Sequence, residues 1–225
     1  MRTKKLMGLG LILAVLLLAG CAGEFHTDLY VQDILDVATG EEEYLLTTGS
    51  LILESPGEEF NERLKEILEE TFREVKNFRQ GGEEYSSKVL VDLKVPILHL
   101  DSSVEEAWID EALAIVVLPP ADGVVDFGLM LNGEKIDGVF ASFLEDAFYT
   151  VGVKDFSFSI TLHNDLRNSI PVVLHGVYAD GWPLHYRERF TLERRDQLEL
   201  RLGEIARDYA YDERYVFFGE LEIEE

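Results

Sequence analysis

Aromatic residues and arginines are concentrated in one short segment around residue 180. A dipeptide typical of tight hairpin turns, Asp180-Gly181, lies in this segment. Tyrosine, tryptophan and arginine are enriched at the positions that contribute most of the binding energy in protein interfaces. The segment therefore predicts a rim at a hairpin tip that binds a protein partner or an anionic ligand. The predicted binding residues are Tyr178, Trp182, Tyr186, Arg187 and Arg189.

The same segment has a simpler structural interpretation. Aromatic side chains pack across neighbouring strands, and arginines at strand spacing pair with carboxylates on an adjacent strand. In this interpretation Arg187 and Arg189 face glutamates such as Glu220 and Glu222. The aromatic residues then stabilise the hairpin rather than contact a partner.

Motifs with a known catalytic mechanism are missing from the sequence. It contains no glycine-rich phosphate loop, no His-Glu-x-x-His zinc motif, no Gly-x-Ser-x-Gly nucleophile turn and no calcium-binding loop. The five histidines are scattered, and the 44 acidic residues are too numerous to single out a pair. His175 lies in an apolar run and is interpreted as a hydrogen-bonded histidine on a strand. No catalytic residue, metal ligand or cofactor is therefore predicted.

The N-terminal residues have the three parts of a secretory signal. Arg2, Lys4 and Lys5 form a positive start, and an apolar run from residue 6 to residue 18 follows. The run ends in Leu18-Ala19-Gly20-Cys21, which resembles the lipobox of bacterial lipoproteins. The resemblance implies that the Cys21 thiol receives a diacylglycerol, that cleavage occurs before Cys21 and that the new amino group is acylated. An uncleaved N-terminal membrane helix is the alternative.

The lipobox implies a location and a division of the chain. Residues 1–20 are predicted to be the signal peptide, residues 21–24 the lipidated N-terminus with a short tether, and residues 25–225 a single domain. The protein is expected to be anchored in the cell membrane by lipid on Cys21, outside the cytoplasm. Ala22 implies sorting to the outer membrane in a host with two membranes. The mature part otherwise resembles uncharacterised bacterial and prophage lipoproteins, so no functional site is transferred.

Composition excludes several classes of protein. The chain of 225 residues is 47% hydrophobic, which is incompatible with a mainly disordered protein. Its formal net charge of -24 argues against nucleic-acid binding, which requires a basic surface. The single cysteine excludes an internal disulfide.

Three helices are predicted from apolar periodicity. The longest extends from Pro56 to Gln80, where Phe60, Leu64, Phe72 and others recur at three- and four-residue steps. A second is expected from Arg194 to Tyr209, with Leu198, Leu202, Ile205 and Tyr209 on its buried side. A third is expected from Gly138 to Phe148, and a single helical turn is possible at Gln32–Ala38.

Strands are predicted where apolar and polar residues alternate. Residues 25–31, 89–97, 156–163 and 215–223 alternate clearly, and 45–53, 114–118, 125–131, 172–178 and 184–192 do so less regularly. Asn132-Gly133 and Asp180-Gly181 are predicted hairpin turns. These elements predict an α+β fold, a largely antiparallel sheet with one long and one or two shorter amphipathic helices packed on it.

Two functions are consistent with these features. The first is a membrane-anchored, non-enzymatic binding or assembly module that holds an envelope protein or a small ligand at the cell envelope. The second is an envelope hydrolase whose carboxylate or histidine site forms only in the folded chain. The missing catalytic motifs favour the first.

Overall fold

The fold is a single large sheet with a few short helices. The computed structural model describes residues 23–55, 60–83, 86–100, 111–144, 153–184 and 186–223. Strands make up 56% and helices 23% of the structure, and the 13 strands form one curled sheet. The predicted α+β fold with a long helix packed on a sheet is therefore wrong. Cys21 lies outside the described residues.

Thirteen strands account for most of the described chain. They are β1 (Gly23–Tyr30), β2 (Tyr44–Ser55), β3 (Arg73–Glu83), β4 (Ser86–His99), β5 (Leu113–Val117), β6 (Val124–Leu131), β7 (Phe156–His163), β8 (Ile170–Leu174), β9 (Val177–Ala179), β10 (Trp182–Pro183), β11 (Glu188–Leu192), β12 (Gln197–Leu202) and β13 (Tyr215–Glu222). Their order across the sheet is β10-β9-β12-β7-β1-β2-β4-β5-β6-β13-β8-β11, and β3 pairs with β4 beside β5.

The sheet curls so that its two ends come close together. Strands β8 and β9 lie near opposite ends of the strand order, yet only His175 and Gly176 separate them along the chain. Backbone hydrogen bonds fix this link on both sides: the His175 amide donates to Phe218 O at 3.0 Å, and the Gly203 amide donates to Gly176 O at 3.2 Å. A flat sheet of this order could not be joined by two residues.

The concave face of the sheet encloses the hydrophobic core. Strands β1, β7 and β12 alternate regularly between buried and more exposed residues, as expected when one face is buried. The buried side chains of these strands include Phe25, Leu29, Phe158, Ile160 and Leu200. All five residues of β5 are buried, so both faces of that strand are covered.

In the described part of the chain, four short α-helices accompany the sheet: α1 (Val31–Ala38), α2 (Asn61–Thr71), α3 (Gly133–Leu144) and α4 (Glu204–Glu213); a 3-10 turn covers Val153–Asp155. Helix α1 confirms the turn expected at Gln32–Ala38, and it buries Ile34 and Val37 while contacting β1, β2, β4, β5 and β6. The Asp165 carboxylate accepts a hydrogen bond from the Gln32 amide at 3.0 Å and so caps its first turn. Helix α2 contacts α3 and β3, and α4 contacts β6 and β13.

The helix predicted from Pro56 to Gln80 is replaced by α2 followed by β3. The apolar period continues past the end of α2 because β3 is irregular. Its register with β4 shifts between Arg73 and Lys76 and again between Lys76 and Arg79. Glu74 and Asn77 have positive φ angles of 46° and 52°. Each irregularity inserts an extra residue, so apolar side chains recur every three residues along an extended chain, as they do in a helix.

The helix predicted from Arg194 to Tyr209 is also wrong over its first half. Leu198, Leu200 and Leu202 are buried at alternate positions of strand β12, and α4 begins only after Gly203. Ile205 and Tyr209, predicted to be buried, are instead exposed to 88% and 56%. The two-residue period was the correct signal, and Gly203 marks the change from strand to helix.

The third helix begins five residues earlier than predicted. Asn132-Gly133 does not form a hairpin turn but the start of α3, where the Asn132 side chain accepts a hydrogen bond from the Lys135 amide at 3.0 Å. Asparagine is common both in tight turns and at helix N-caps, so residue type alone does not separate these alternatives.

Most of the predicted strands are confirmed. Strands β1, β2, β4, β5, β6, β7 and β13 occupy the predicted segments within a few residues. The segment 172–178 divides into β8 and β9, and 184–192 contributes β11 while β10 begins two residues earlier. Asp180-Gly181 is confirmed as the turn between β9 and β10.

Gly219 is expected to tolerate no side chain. A Cβ atom there would lie 2.0 Å from Cζ of the buried Phe127 ring. Gly219→Ala should lower the free energy of unfolding by about 1–3 kcal/mol, because the core cannot expand without strain. Urea denaturation measures the change. Gly81→Ala is the control, since nothing lies within 4 Å of its Cβ position; an equal loss in both variants would contradict the packing argument.

Candidate functional site

The β9–β10 hairpin places Trp182 at the surface. Asp180 and Gly181 have φ angles of 47° and 81°, the left-handed pair that a tight two-residue hairpin turn requires. The Asp180 amide donates to Glu199 O at 2.9 Å, and its carboxylate accepts from the Glu199 amide at 3.1 Å, which fixes the turn against β12. The Trp182 side chain is 76% exposed on this anchored turn.

Tyr178 contributes to the support of the hairpin. It lies opposite Arg201 in the β9–β12 ladder, and the Arg201 guanidinium lies 4.5 Å from the centre of its ring. Such a cation–π contact stabilises a partly exposed pair by about 0.5–1 kcal/mol. The tyrosine is half-buried, so less of its surface than of Trp182 is open to a partner.

Arg187 and Arg189 form ion pairs with neighbouring glutamates. Arg187 donates to the Glu220 carboxylate and Arg189 to the Glu222 carboxylate, and both reach across β8 to β13. These are the pairs that the structural interpretation of the sequence named. They attach the edge strand β11 to the sheet, so an anion would have to compete with a carboxylate for each guanidinium.

The five predicted binding residues therefore fall into two groups. Trp182 and Tyr186 are exposed, to 76% and 78%, and define what we call the aromatic tip. Tyr178, Arg187 and Arg189 have partners within the fold. His185, between the two tip residues, lies outside the described residues.

The convex face of the sheet carries the closest approach to a catalytic arrangement. His26 Nδ1 lies 3.1 Å from Ser159 Oγ, and Ser159 Oγ also donates to Phe25 O at 3.1 Å. A nucleophilic serine must give its single proton to the histidine. Here the Phe25 carbonyl competes with the imidazole for the single hydroxyl proton, and when that proton is donated to the carbonyl the imidazole can only donate to Ser159. The geometry is that of a structural link between β1 and β7.

A second histidine on the same face pairs with a carboxylate. His163 Nε2 lies 2.7 Å from Asp28 Oδ1, and the His163 ring stacks on Tyr30 with 4.9 Å between the ring centres. A His–Asp pair is also part of the Ser-His-Asp triad, although there the carboxylate bonds Nδ1 of the histidine and here it bonds Nε2. This pair lies on an open strand face, however, and Ser159 is four residues away along β7, too far to act as its nucleophile.

Asp126, on β6, has a carboxylate whose pKa is raised. Partial burial raises its pKa, and the carboxylate of Glu220, directly opposite in the β6–β13 ladder, raises it further. His175 and Arg187 oppose this rise. The ring Nδ1 of His175 is buried and has no hydrogen-bond partner within the described part of the chain, contrary to the expectation from the sequence. This cluster is the best candidate for acid–base chemistry.

The described ranges contain no cluster of metal-binding side chains, and a cavity among them is small and apolar. No three histidine, cysteine or acidic side chains there come close enough to hold a metal ion. A cavity of about 10 Å³ is lined by apolar side chains, among them Phe25, Phe72 and Ile136. That volume is at the lower limit for one water molecule. Among the same residues, no helix combines the length and apolar composition needed to cross a bilayer.

The family of the chain is shown by a match over most of its length. The model of a domain of unknown function, DUF7424, matches residues 23–223. The chain belongs to the DUF7424 family. No curated protein and no solved structure matches it significantly. The DUF7424 match begins two residues after Cys21, so the signal-like segment lies outside the family domain.

Two residues on α4 are exposed although the sequence predicts them to be buried. Ile205 and Tyr209 continue the spacing of Leu198 and Leu202, and that spacing alone predicts a buried helix face. The signal that could have found them is Gly203, which separates the strand period from the helix that follows. They are one helical turn apart and form a second exposed apolar surface.

Asp126→Asn is expected to stabilise the DUF7424 domain at pH 7. A raised pKa means that the folded state disfavours the ionised carboxylate, so a neutral side chain removes that cost. The advantage should decline as the pH falls towards about 4, because wild-type Asp126 then becomes protonated and its cost disappears. Urea denaturation of both proteins across this range measures it. A difference that is constant with pH would show that Asp126 is not perturbed.

Proposed function

We propose that the protein is a membrane-anchored extracytoplasmic lipoprotein that acts as a binding or assembly module at the cell envelope, not as an enzyme. The observation that carries the proposal is the position of β1. This strand begins at Gly23, two residues after Cys21, and lies between β2 and β7 in the interior of the sheet. Two residues span at most about 7 Å. Acyl chains on Cys21 therefore hold this end of the sheet at the bilayer surface.

The aromatic tip supports a binding role. Across neighbouring strands, Trp182 pairs with Ala179, Ala179 with Leu200, and Leu200 with Ile160 of β7. Trp182 is therefore level with Ile160 in the sheet. Ile160 lies four residues beyond Phe156, the partner of Gly23. The tip is thus about 13 Å along the strands from the anchored end. At this distance from the anchored end, a partner embedded in or resting on the same membrane can reach the aromatic tip.

Because the protein is acidic, its membrane binding is expected to come from the acyl chains on Cys21 and not from electrostatic attraction. With a net charge of -24, the protein has little electrostatic attraction to anionic lipid headgroups. Two or three acyl chains, at about 0.8 kcal/mol per buried methylene, are sufficient for stable anchoring. In a host with two membranes, Ala22 is proposed to direct the protein to the outer membrane.

A hydrolase is the second candidate, and the Asp126 cluster is the observation that favours it. The raised pKa of Asp126 and the adjacent Glu220 are properties of acid–base sites. Glu220 is already paired with Arg187, however, and the cluster lies on the outward strand face. The binding module explains the exposed aromatic tip, which the hydrolase does not require.

Cys21→Ser is expected to abolish lipid attachment. The serine hydroxyl cannot replace the thiol that receives the diacylglycerol, so the variant should remain an uncleaved precursor. Metabolic labelling with palmitate and intact-mass analysis measure both effects. Wild-type protein should incorporate the label and begin at residue 21. Labelled Cys21→Ser protein, or wild-type protein that begins at Met1 without acyl chains, would refute the anchor.

Trp182→Ala is expected to weaken partner binding without affecting stability. A side chain that is 76% exposed contributes less than about 0.5 kcal/mol to folding but can dominate an interface. A photo-crosslinking residue at Tyr186 in living cells should give a discrete adduct, which Trp182→Ala reduces.

The same crosslinker at Asp122, in the exposed turn between β5 and β6, serves as the control position. An equal adduct yield from both positions would argue against a specific role for the tip. A large loss of thermal stability in Trp182→Ala would show that the tryptophan is a packing residue.

A further inference from the structure

Helix α4 presents two apolar side chains to solvent on one face. Ile205 is 88% and Tyr209 is 56% exposed, and their spacing of four residues places them side by side. The rest of the helix surface is fixed to the fold: Ala206 and Ala210 are buried, and the Tyr211 hydroxyl donates to the Asp137 carboxylate of α3 at 2.6 Å. The orientation of the exposed pair is therefore set by the fold.

The pair lies at the end of the sheet where β1 begins. Strand β12 runs antiparallel to β7, with Leu200 opposite Ile160 and Arg201 opposite Ser159, so the chain leaves β12 towards Phe156. Helix α4 starts there, and the Arg207 guanidinium reaches Phe156 O at 3.5 Å. Phe156 pairs directly with Gly23 in the parallel β1–β7 ladder.

The chain that precedes Gly23 determines what this face meets. Cys21 is two residues from Gly23, and one strand spacing plus one arginine side chain separate Gly23 from α4. The first turn of α4 is therefore within about 20 Å of the cysteine sulfur. Acyl chains on that sulfur must enter a bilayer at this end of the domain.

We propose that the Ile205–Tyr209 face of α4 docks on the lipid bilayer that holds the acylated Cys21, and so fixes the orientation of the domain. This inference rests on the proposed lipid anchor. An isoleucine side chain buries apolar surface in the acyl region, and a tyrosine is suited to the interface, where its ring is buried and its hydroxyl is hydrated.

The charges on α4 specify the kind of lipid. Glu204, Asp212 and Glu213 are exposed, and Asp208 is paired with Arg207 at 3.0 Å. This helix and the strongly acidic protein are repelled by anionic headgroups. Docking is therefore strongest on zwitterionic lipid, and added anionic lipid weakens it at low ionic strength.

The single cysteine makes the contact measurable. Acylation uses the Cys21 thiol, so Glu204→Cys introduces the only free thiol of the chain, next to an intact Ile205. The acylated full-length protein, labelled there with a fluorophore, is reconstituted into phosphatidylcholine vesicles that contain nitroxide-labelled acyl chains. We expect quenching of the label to be at least about twofold stronger than for the same label at Asp122→Cys.

Asp122 is a suitable control because it lies at the other end of the sheet. Asp122 follows β5, and the last residue of β5 pairs with His99 of β4. The β4 residue that is level with Gly23 across the sheet lies ten positions before His99. Ile205→Ser should shift the equilibrium between docked and undocked orientations about tenfold towards the undocked state and reduce the quenching of the Glu204→Cys label. Ile205→Leu should retain the quenching of the Glu204→Cys label.

The outcomes separate this inference from the proposed function. Equal quenching at positions 204 and 122, with acylation confirmed by intact mass, would overturn membrane docking and leave the lipid anchor standing. Energy transfer between labelled copies at position 204 without lipid quenching would show that a second copy covers this face, and would also overturn it. Absence of acyl chains from the wild-type protein would overturn both proposals.

Discussion

The parallel ladder between β1 and β7 holds the two halves of the sheet together. All eight residues of β1 pair with β7, and β2 pairs on its other side. The polar contacts across the ladder join residues far apart in sequence: His26 and Ser159 are separated by 133 positions. The sheet therefore cannot be completed until most of the chain is available, and this high contact order implies slow folding. All the elements from α1 to α3 lie in the connection between the paired strands β1 and β7.

The same ladder is the point at which an anchor on Cys21 would transmit force. A pull on the start of β1 acts along the strand, so it loads the hydrogen bonds to β7 and β2 together rather than one after another. Buried side chains resist the same displacement, since Phe25 and Leu29 are enclosed by the core and the buried Thr27 hydroxyl donates to Thr48 O at 3.0 Å. A short tether is thus compatible with a stable domain because it leads into the interior of the sheet and not into an edge strand.

The sequence predicts the strands better than the helices, and the reason is the period of burial. In a strand with one buried face, buried residues recur at every second position; β7 follows that rule along its length, and β4 follows it from Val89 to Val95. Strand β3 does not: its positive φ angles at Glu74 and Asn77 give a three-residue repeat that imitates a helix. In the candidate site, the turn at Asp180-Gly181 follows from residue types alone. The separation of exposed Trp182 from paired Arg187 does not, because it depends on Glu220 of a distant strand.

Charge and apolar surface have opposite effects on how such a domain lies at a membrane. Acyl chains on Cys21, as proposed, would limit the distance between the bilayer and Gly23 but would leave rotation about that point free. A net charge of -24 repels an anionic surface over roughly 8–10 Å and disfavours orientations that bring the outer strand faces to the lipid. An apolar contact beside the anchor, such as Ile205, acts only at short range and favours a single orientation. If the proposed anchor is present, the two effects would be complementary: repulsion would remove most orientations, and a small apolar contact at the anchored end would select among the remainder.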